Sequence, residues 1–279
     1  MRLAEDVVGG KTKLTESEIL ELITTFTNLY DSKPNVVEVP EGDTIYVGDL
    51  HGDFQSAQAI RNLFRQSPGF TFVFLGDYAD RGPQQVATFN LVMALAIQYP
   101  ERTLMLRGNH EADRVARMYG FFDVVKSQYN VDLYNAYCEV FKALPLAGIS
   151  RSRVFSCHGG VPEGVDSLAQ IQSVNRRTVE LDDPIAFQLA WNDPAEGDFH
   201  FTYNRRGGDT RTFGRMAFDE FVKSLNIRLM IRAHEVFFDG HKRFFDGRLI
   251  SVFSTSYSHR ANPKVIRVGN DLVPEIIPI

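Results

Sequence analysis

Five short polar clusters hold most of the residues in this 279-residue sequence that could do chemistry. They are Gly48-Asp49-Leu50-His51-Gly52, Gly76-Asp77-Tyr78-Ala79-Asp80-Arg81-Gly82, Arg107-Gly108-Asn109-His110-Glu111, His158-Gly159-Gly160 and Arg232-Ala233-His234-Glu235. Four of the seven histidines fall within them, beside carboxylates and an amide. Oxygen and imidazole donors together suit borderline-hard divalent ions such as Mn, Fe or Zn, whereas a thiolate-rich set would mark a different site. The ligands suffice for two such ions. Asp49 and His51 stand two apart, so on a continued strand they would face the same side. The flanking glycines let backbone approach a metal or phosphate without a β-carbon in the way. A single Gly-Asp pair is an ordinary turn and a lone histidine an ordinary structural residue; five such clusters in this order are not.

The elements that must position these clusters can be read around them. Short β-branched and aromatic runs precede the clusters at Thr44 to Val47, Phe70 to Leu75, Thr103 to Leu106, Val154 to Cys157 and Leu229 to Ile231, each a strand delivering a loop. Helical spacing lies between most of them, over Gln84 to Gln98 behind Pro83 and over Val131 to Leu144 before Pro145. Near the amino terminus, Thr15 and Glu18 form a capping-box pattern ahead of Ile19, Leu20, Leu22, Ile23 and Phe26, which predicts an amphipathic packing helix from Glu16 to Tyr30 within an N-terminal helical segment over 1–40. Towards the end, Leu249 to Phe253 and Lys264 to Val268 follow one another with few helical residues between, the pattern of antiparallel strands. With no internal repeat and no Pro/Ser/Gly linker, residues 1–279 read as one mixed α/β catalytic domain.

Composition narrows the class. Hydrophobic residues at 44% and charged residues at 23% give a soluble globular chain with material for a large core, which excludes wholesale disorder. The longest apolar run, Leu91 to Ile97, is seven residues, far short of the roughly 18–20 that span a bilayer. No membrane partner is expected, and a net charge of −5 argues against general nucleic-acid binding. Residues 1–10 develop no apolar signal region, and two cysteines, Cys138 and Cys157, suit a reducing compartment, so a cytoplasmic location is expected. His200, His241 and His259 read as surface or structural residues, and strand alternation turns Cys157 towards the core. The pairs Phe237-Phe238 and Phe244-Phe245 read as core or hairpin packing.

In series, the five clusters resemble the signature of the phosphoprotein phosphatase family of metal-dependent serine/threonine phosphatases. The resemblance extends to Tyr119-Gly120-Phe121 with Asp123, Leu144-Pro145, Trp191-Asn192-Asp193-Pro194, Thr212-Phe213-Gly214 and Phe253-Ser254. It runs from about Thr15 to Val268 and is closest to the catalytic cores of the protein phosphatase 1 and 2A groups, in the short form of archaeal and bacterial members. Asp80-Arg81-Gly82 and Tyr119-Gly120-Phe121 set it apart from the wider metallophosphoesterase superfamily. The fold implied is calcineurin-like, a central β-sandwich of mixed sheets flanked by helices.

The same resemblance implies a dinuclear centre of two divalent ions, Mn ahead of Fe or Zn. Asp49, His51 and Asp77 would hold the first and Asp77, Asn109, His158 and His234 the second. A metal-bridging hydroxide would attack phosphoserine or phosphothreonine in line, without a phosphoenzyme; neither cysteine lies in a Cys-x5-Arg loop. His110 would protonate the leaving alkoxide with Asp80 fixing its tautomer. Arg81 and Arg206 would bind the phosphate oxygens together with Asn109. Arg206 is favoured because it precedes Gly207, but the segment Arg206 to Gly214 carries one residue more than the usual spacing, which leaves Arg205 and Arg211 open. Arg107 faces either phosphate or a structural ion pair. Tyr257 either overhangs the site or is a surface-loop aromatic, since Ser254-Thr255-Ser256-Tyr257 stands where the family has Ala-Pro-Asn-Tyr. Phosphoproteins would be the substrates, with regulation supplied by separate proteins or by metal. The alternatives are a dinucleoside polyphosphate hydrolase or broad-specificity phosphomonoesterase of the same superfamily, and an inactive metal-stabilised scaffold. Glu111 after His110 and Gly159 after His158 speak against the first, where those hydrolases tend to carry Asp and Ala.

Overall fold

A computed structural model describes residues 2–279. Two mixed sheets form its centre. The first has five strands in the order Pro274–Pro278, Lys264–Val268, Thr44–Val47, Thr71–Phe74 and Thr103–Met105, the last three mutually parallel. The second has six, in the order Val36–Val39, Ala147–Ser150, Val154–Cys157, Leu229–Arg232, Leu249–Val252 and His241–Phe244, and its third, fourth and fifth strands are parallel. Ile45, Val47, Phe72 and Phe74 of one sheet share a core with Val154, Ile231 and Val252 of the other. The opposite face of the six-stranded sheet, with Phe155, Cys157 and Met230, packs against the helices Pro184–Trp191 and Arg215–Ser224. This is a sandwich of mixed sheets flanked by helices, as the resemblance implied.

Both sets of parallel strands end at the same edge, where the sheets nearly touch. At Gly48 a β-carbon would come within 2.2 Å of the Val252 carbonyl oxygen, so only glycine admits this approach. The Gly48 N–H donates to Ser254 Oγ at 2.8 Å, and a lone parallel bridge joins Asp49 to Phe253. All five polar clusters therefore converge at the carboxyl ends of the strands, where open α/β sheets place their ligands.

The helices follow the sequence pattern closely. Glu16–Tyr30 begins on the Thr15–Glu18 capping box and buries Ile19, Leu22, Ile23 and Phe26. Such a cap contributes about 1 kcal/mol. Gln85–Gln98 starts after Gln84, with Pro83 just outside, and is buried on nearly every side because the helices Arg2–Gly9, Glu16–Tyr30 and Phe54–Gln66 all pack on it. Among the described residues no helix is long and apolar enough to cross a membrane.

Three expectations need correction. The segment 1–40 is not wholly helical: after Tyr30 the chain turns, and Val36–Val39 becomes an edge strand parallel to Ala147–Ser150. The strands Leu249–Val252 and Lys264–Val268 do not pair with each other. The first lies antiparallel to His241–Phe244 in the six-stranded sheet, and the second joins the five-stranded sheet antiparallel to Thr44–Val47. Of the two Phe pairs, Phe244 and Phe245 are buried and Phe237 packs beside them, but Phe238 is 62% exposed.

Candidate metal centre and active site

Asp77 sits at the middle of the convergence. Its backbone is left-handed at φ 57°, and its carbonyl accepts the N–H groups of Leu50 at 3.0 Å and His51 at 2.9 Å, which ties the first two clusters together. Its Oδ1 accepts the His110 N–H at 3.0 Å, and its Oδ2 lies 3.4 Å from His158 Nε2, 3.6 Å from His51 Nε2 and 3.9 Å from His110 Nε2. Gly108 is packed so closely beneath it that a β-carbon would meet Asp77 Oδ1 at 2.2 Å. Asp49 and His51 do face each other, with 3.7 Å between Oδ2 and Nε2, but through a turn at His51 (φ 44°) rather than along a strand. Asp49 Oδ1 accepts the His234 N–H at 2.9 Å, joining the first cluster to the last. Asn109 Oδ1 lies 2.8 Å from His158 Nε2.

The histidines are oriented from behind. His51 Nδ1 donates to the Ala79 carbonyl and His158 Nδ1 to the Leu75 carbonyl, each at 3.0 Å, which turns both Nε2 atoms towards Asp77. Two groups of buried ligand atoms result, His51–Asp77–His110 and Asp77–His158–His234, each within 4.8 Å and both sharing Asp77. The first differs from the expected set in holding His110 rather than Asp49. Yet Asp49 Oδ2 is a buried oxygen with no hydrogen-bond partner among the described residues, and the buried nitrogen His234 Nε2 likewise has none. A buried acceptor left bare is costly unless a cation meets it. The donor set therefore fits two divalent ions, with Asp49, His51 and Asp77 on one side and Asp77, Asn109, His158 and His234 on the other.

Charge and burial compete strongly here. Burial would raise the Asp77 carboxyl, but the surrounding His158, His110 and His51 outweigh it and hold it well below its ordinary value. Asp49 goes the other way, raised to about 6 by burial and by the Asp77 charge. His51 is lowered to about 3 by burial and by His110, so it presents a neutral lone pair across the physiological range. Burial likewise holds His234 well below the usual imidazole range.

Beside these residues stands a short hydrogen-bonded histidine–carboxylate pair. His110 Nδ1 donates to Asp80 Oδ2 at 2.6 Å, and Asp80 Oδ1 also accepts the Phe121 N–H at 2.8 Å. Burial would lower the His110 pKa, but Asp77 and Asp80 together raise it, which favours the charged imidazolium. Arg81, left-handed at φ 65°, lies 3.4 Å from His110 Nε2 and stacks over the Tyr119 ring at 4.6 Å. Its Nη1 donates to the Tyr257 hydroxyl at 3.3 Å, so Tyr257 does reach the site's edge. Arg206 lines the same cleft as Asp77, Arg81 and His110. Arg205 is not among the residues lining that cleft, and Arg211 turns into a neighbouring groove facing Glu163, so of the three arginines Arg206 is the one brought to the cleft.

Several residues acquire roles that the sequence alone did not assign. Asp193 accepts Arg206 Nε at 2.7 Å through Oδ2 and Arg232 Nη2 at 3.0 Å through Oδ1, which steadies Arg206 against the cleft. Glu111 accepts the backbone N–H groups of Asp77, Tyr78 and Gly108. Trp191 packs edge-on against His234 at 5.5 Å. Asp193 and Trp191 stood within a segment noticed for its resemblance, which was the available signal. Arg107 is neither phosphate-facing nor in an ion pair: it is buried and donates to the carbonyls of Glu111, Arg176, Thr178 and Val179.

The comparisons agree with this geometry. The chain is similar to a protein serine/threonine phosphatase from Saccharomyces cerevisiae that is described as similar to human phosphatase PP5. The two share 27% identity at a TM-score of 0.85, over 95% of this chain and 90% of that one, in keeping with the phosphoprotein phosphatase resemblance. A cold-active protein-tyrosine phosphatase of a psychrophilic Shewanella species shares the fold at 15% identity and a TM-score of 0.64, over 90% of this chain and 84% of that one. The calcineurin-like phosphoesterase model matches residues 44–238, a span holding all five clusters and over half of the sequence, and the chain belongs to that family.

Proposed function

We propose that this protein is a metal-dependent phosphoprotein phosphatase that hydrolyses phosphoserine and phosphothreonine. The observation that carries the reading is the 2.6 Å pairing of His110 with Asp80, beside Asp77, in a cleft that Arg81 and Arg206 also line. Two divalent ions, Mn in the first instance, supply Lewis-acid polarisation of the phosphoryl oxygens and water activated near neutral pH. Arg81 and Arg206 hold non-bridging oxygens, where the guanidinium fork permits paired contacts that lysine cannot make. Asn109 adds an amide to that grip. His110 gives the proton on Nε2 to the departing alkoxide while Asp80 keeps hold of the Nδ1 proton, so the ring cannot turn away. A positioned proton donor that stays charged near neutral pH is what an alkyl phosphate needs, since serine and threonine alkoxides leave poorly.

Two free and buried cysteines support a reducing, cytoplasmic setting. Replacing Asp77 with Ala tests the reading: turnover of a phosphothreonine peptide and bound metal should both be lost, and retention of both would overturn it. Diadenosine tetraphosphate offered beside the peptide decides between substrates, because preferential cleavage of the dinucleotide would replace the protein-phosphatase reading.

A further inference from the structure

Next to the metal-ligand cleft lies a larger hollow of about 500 Å³, between the start of the helix Phe54–Gln66 and the loop 255–260. The two spaces share His51 and Arg81 in their walls, so they adjoin. The hollow carries an excess of basic side chains. Arg81, His259 and Arg260 line it, and neither His259 nor Arg260 makes a side-chain hydrogen bond or ion pair among the described residues. Asp53 is the one carboxylate on the described wall, and it is fully engaged. Its oxygens accept the Ser56 N–H and hydroxyl, the Thr255 hydroxyl, and the Ser256 N–H and hydroxyl. Those bonds fasten the loop to the helix start and commit the Asp53 oxygens to the loop, and on this wall Arg81 and Arg260 outnumber the one carboxylate. In a chain of net charge −5, such a wall runs against the average field.

We infer that this hollow is a subsite for a second anionic group of the substrate chain, an acidic or phosphorylated residue close in sequence to the phosphoresidue under attack. The inference rests on the protein-phosphatase reading and adds a substrate class to it. Arg81 is shared: its guanidinium borders the phosphoryl cleft on one side and the hollow on the other. Arg260 stands free to meet a carboxylate or a second phosphate with paired N–H donors. Because Arg260 is exposed, the preference is modest and screened by salt, about three- to five-fold in kcat/KM at low ionic strength.

The test uses the full chain loaded with Mn and three phosphothreonine peptides of one sequence, flanked by Asp, flanked by Asn, or carrying a second phosphoserine. Each rate is divided by the same enzyme's rate on an aryl phosphate, which corrects for folding and loading. The Asp-flanked peptide should exceed the Asn-flanked one by the stated factor, and the doubly phosphorylated arm shows which anion is preferred. Arg260→Glu should erase or invert the ratio, Arg260→Gln should reduce it, and high salt should flatten it. Equal rates on acidic and neutral peptides, or a ratio unchanged in Arg260→Glu, would overturn the subsite. Good aryl phosphate turnover with no peptide turned over would instead overturn the protein-phosphatase reading, and the subsite with it.

Discussion

Glu111 reaches back across 34 positions to accept the Asp77 backbone N–H at 2.8 Å. Through the same carboxylate it accepts Tyr78 N–H at 3.0 Å and Gly108 N–H at 2.9 Å, so one buried side chain fixes the loop that carries Asp77, the carboxylate common to both candidate ligand groups. Burial and the charge of Asp77 push its pKa up to about 7, the cost of setting an acid there. Replacing Glu111 with Gln turns an amide N–H₂ towards backbone donors. The expected result is a loss of about 2–3 kcal/mol in urea denaturation together with weaker metal retention, and an unchanged midpoint would refute the clamp.

The acid role of His110 makes a claim about leaving groups. Asn at that position should slow an alkyl phosphate by roughly 10²- to 10⁴-fold and an activated aryl phosphate far less. Equal losses on both would remove the role.

Asp80 should show itself in the pH profile instead. Asp77 and Asp80 raise the His110 pKa, and a raised imidazole is active as an acid until pH climbs through its folded value. Asp80→Asn takes away one of those charges, so the alkaline limb for an alkyl phosphate should move to lower pH; a limb that stays in place would deny the coupling.

Arg206 is expected to act mainly in binding. Arg206→Ala should raise KM for a phosphopeptide about ten-fold, an amount in keeping with one lost charge-assisted contact. Arg205→Ala should leave KM where it was. Arg206→Lys should recover little, because Asp193 is met by the guanidinium Nε. The reverse order of effects between Arg205 and Arg206 would reassign the phosphate contact.

Metal affinity should follow the protonation of Asp49. Its carboxyl is raised to about 6 by burial and by Asp77, and a ligand must lose its proton before it binds. Above that value the proton is already gone, and below it metal and proton compete. Melting temperatures with Mn and with chelator should therefore separate widely at pH 7.5 and draw together as pH falls below about 6. A separation independent of pH would exclude Asp49 from the ligand set.

What the sequence made legible was local. A strand followed at once by Gly, Asp, His or Asn announces itself, and the five clusters stand where those patterns end. The capping box of Glu16–Tyr30 was equally plain. The rest depends on partners far along the chain. Arg107 left two readings open because its partners, the carbonyls of 176–179, lie about 70 positions away, and nothing near Arg107 marks them. The strand Val36–Val39 exists because Ala147–Ser150 offers it an edge, so a reading of 1–40 alone gave helix. Period-two spacing correctly brought Asp49 and His51 together but by the wrong geometry, since the chain leaves the strand before His51.

His51, Asp77, Asp80, Arg81 and His234 all hold a left-handed backbone without being glycine. Such conformations cost of order 1 kcal/mol or more apiece and persist only where the surroundings enforce them. The residues proposed for the chemistry are thus among those least at ease in their backbone, and a drift of Arg81 towards glycine would relax the chain while removing the proposed phosphate contact. A higher denaturation midpoint with a lower turnover in Arg81→Gly would display that conflict directly. The cleft is then held in place by selection for its reaction, against a thermodynamic slope that runs towards a quieter and more durable protein.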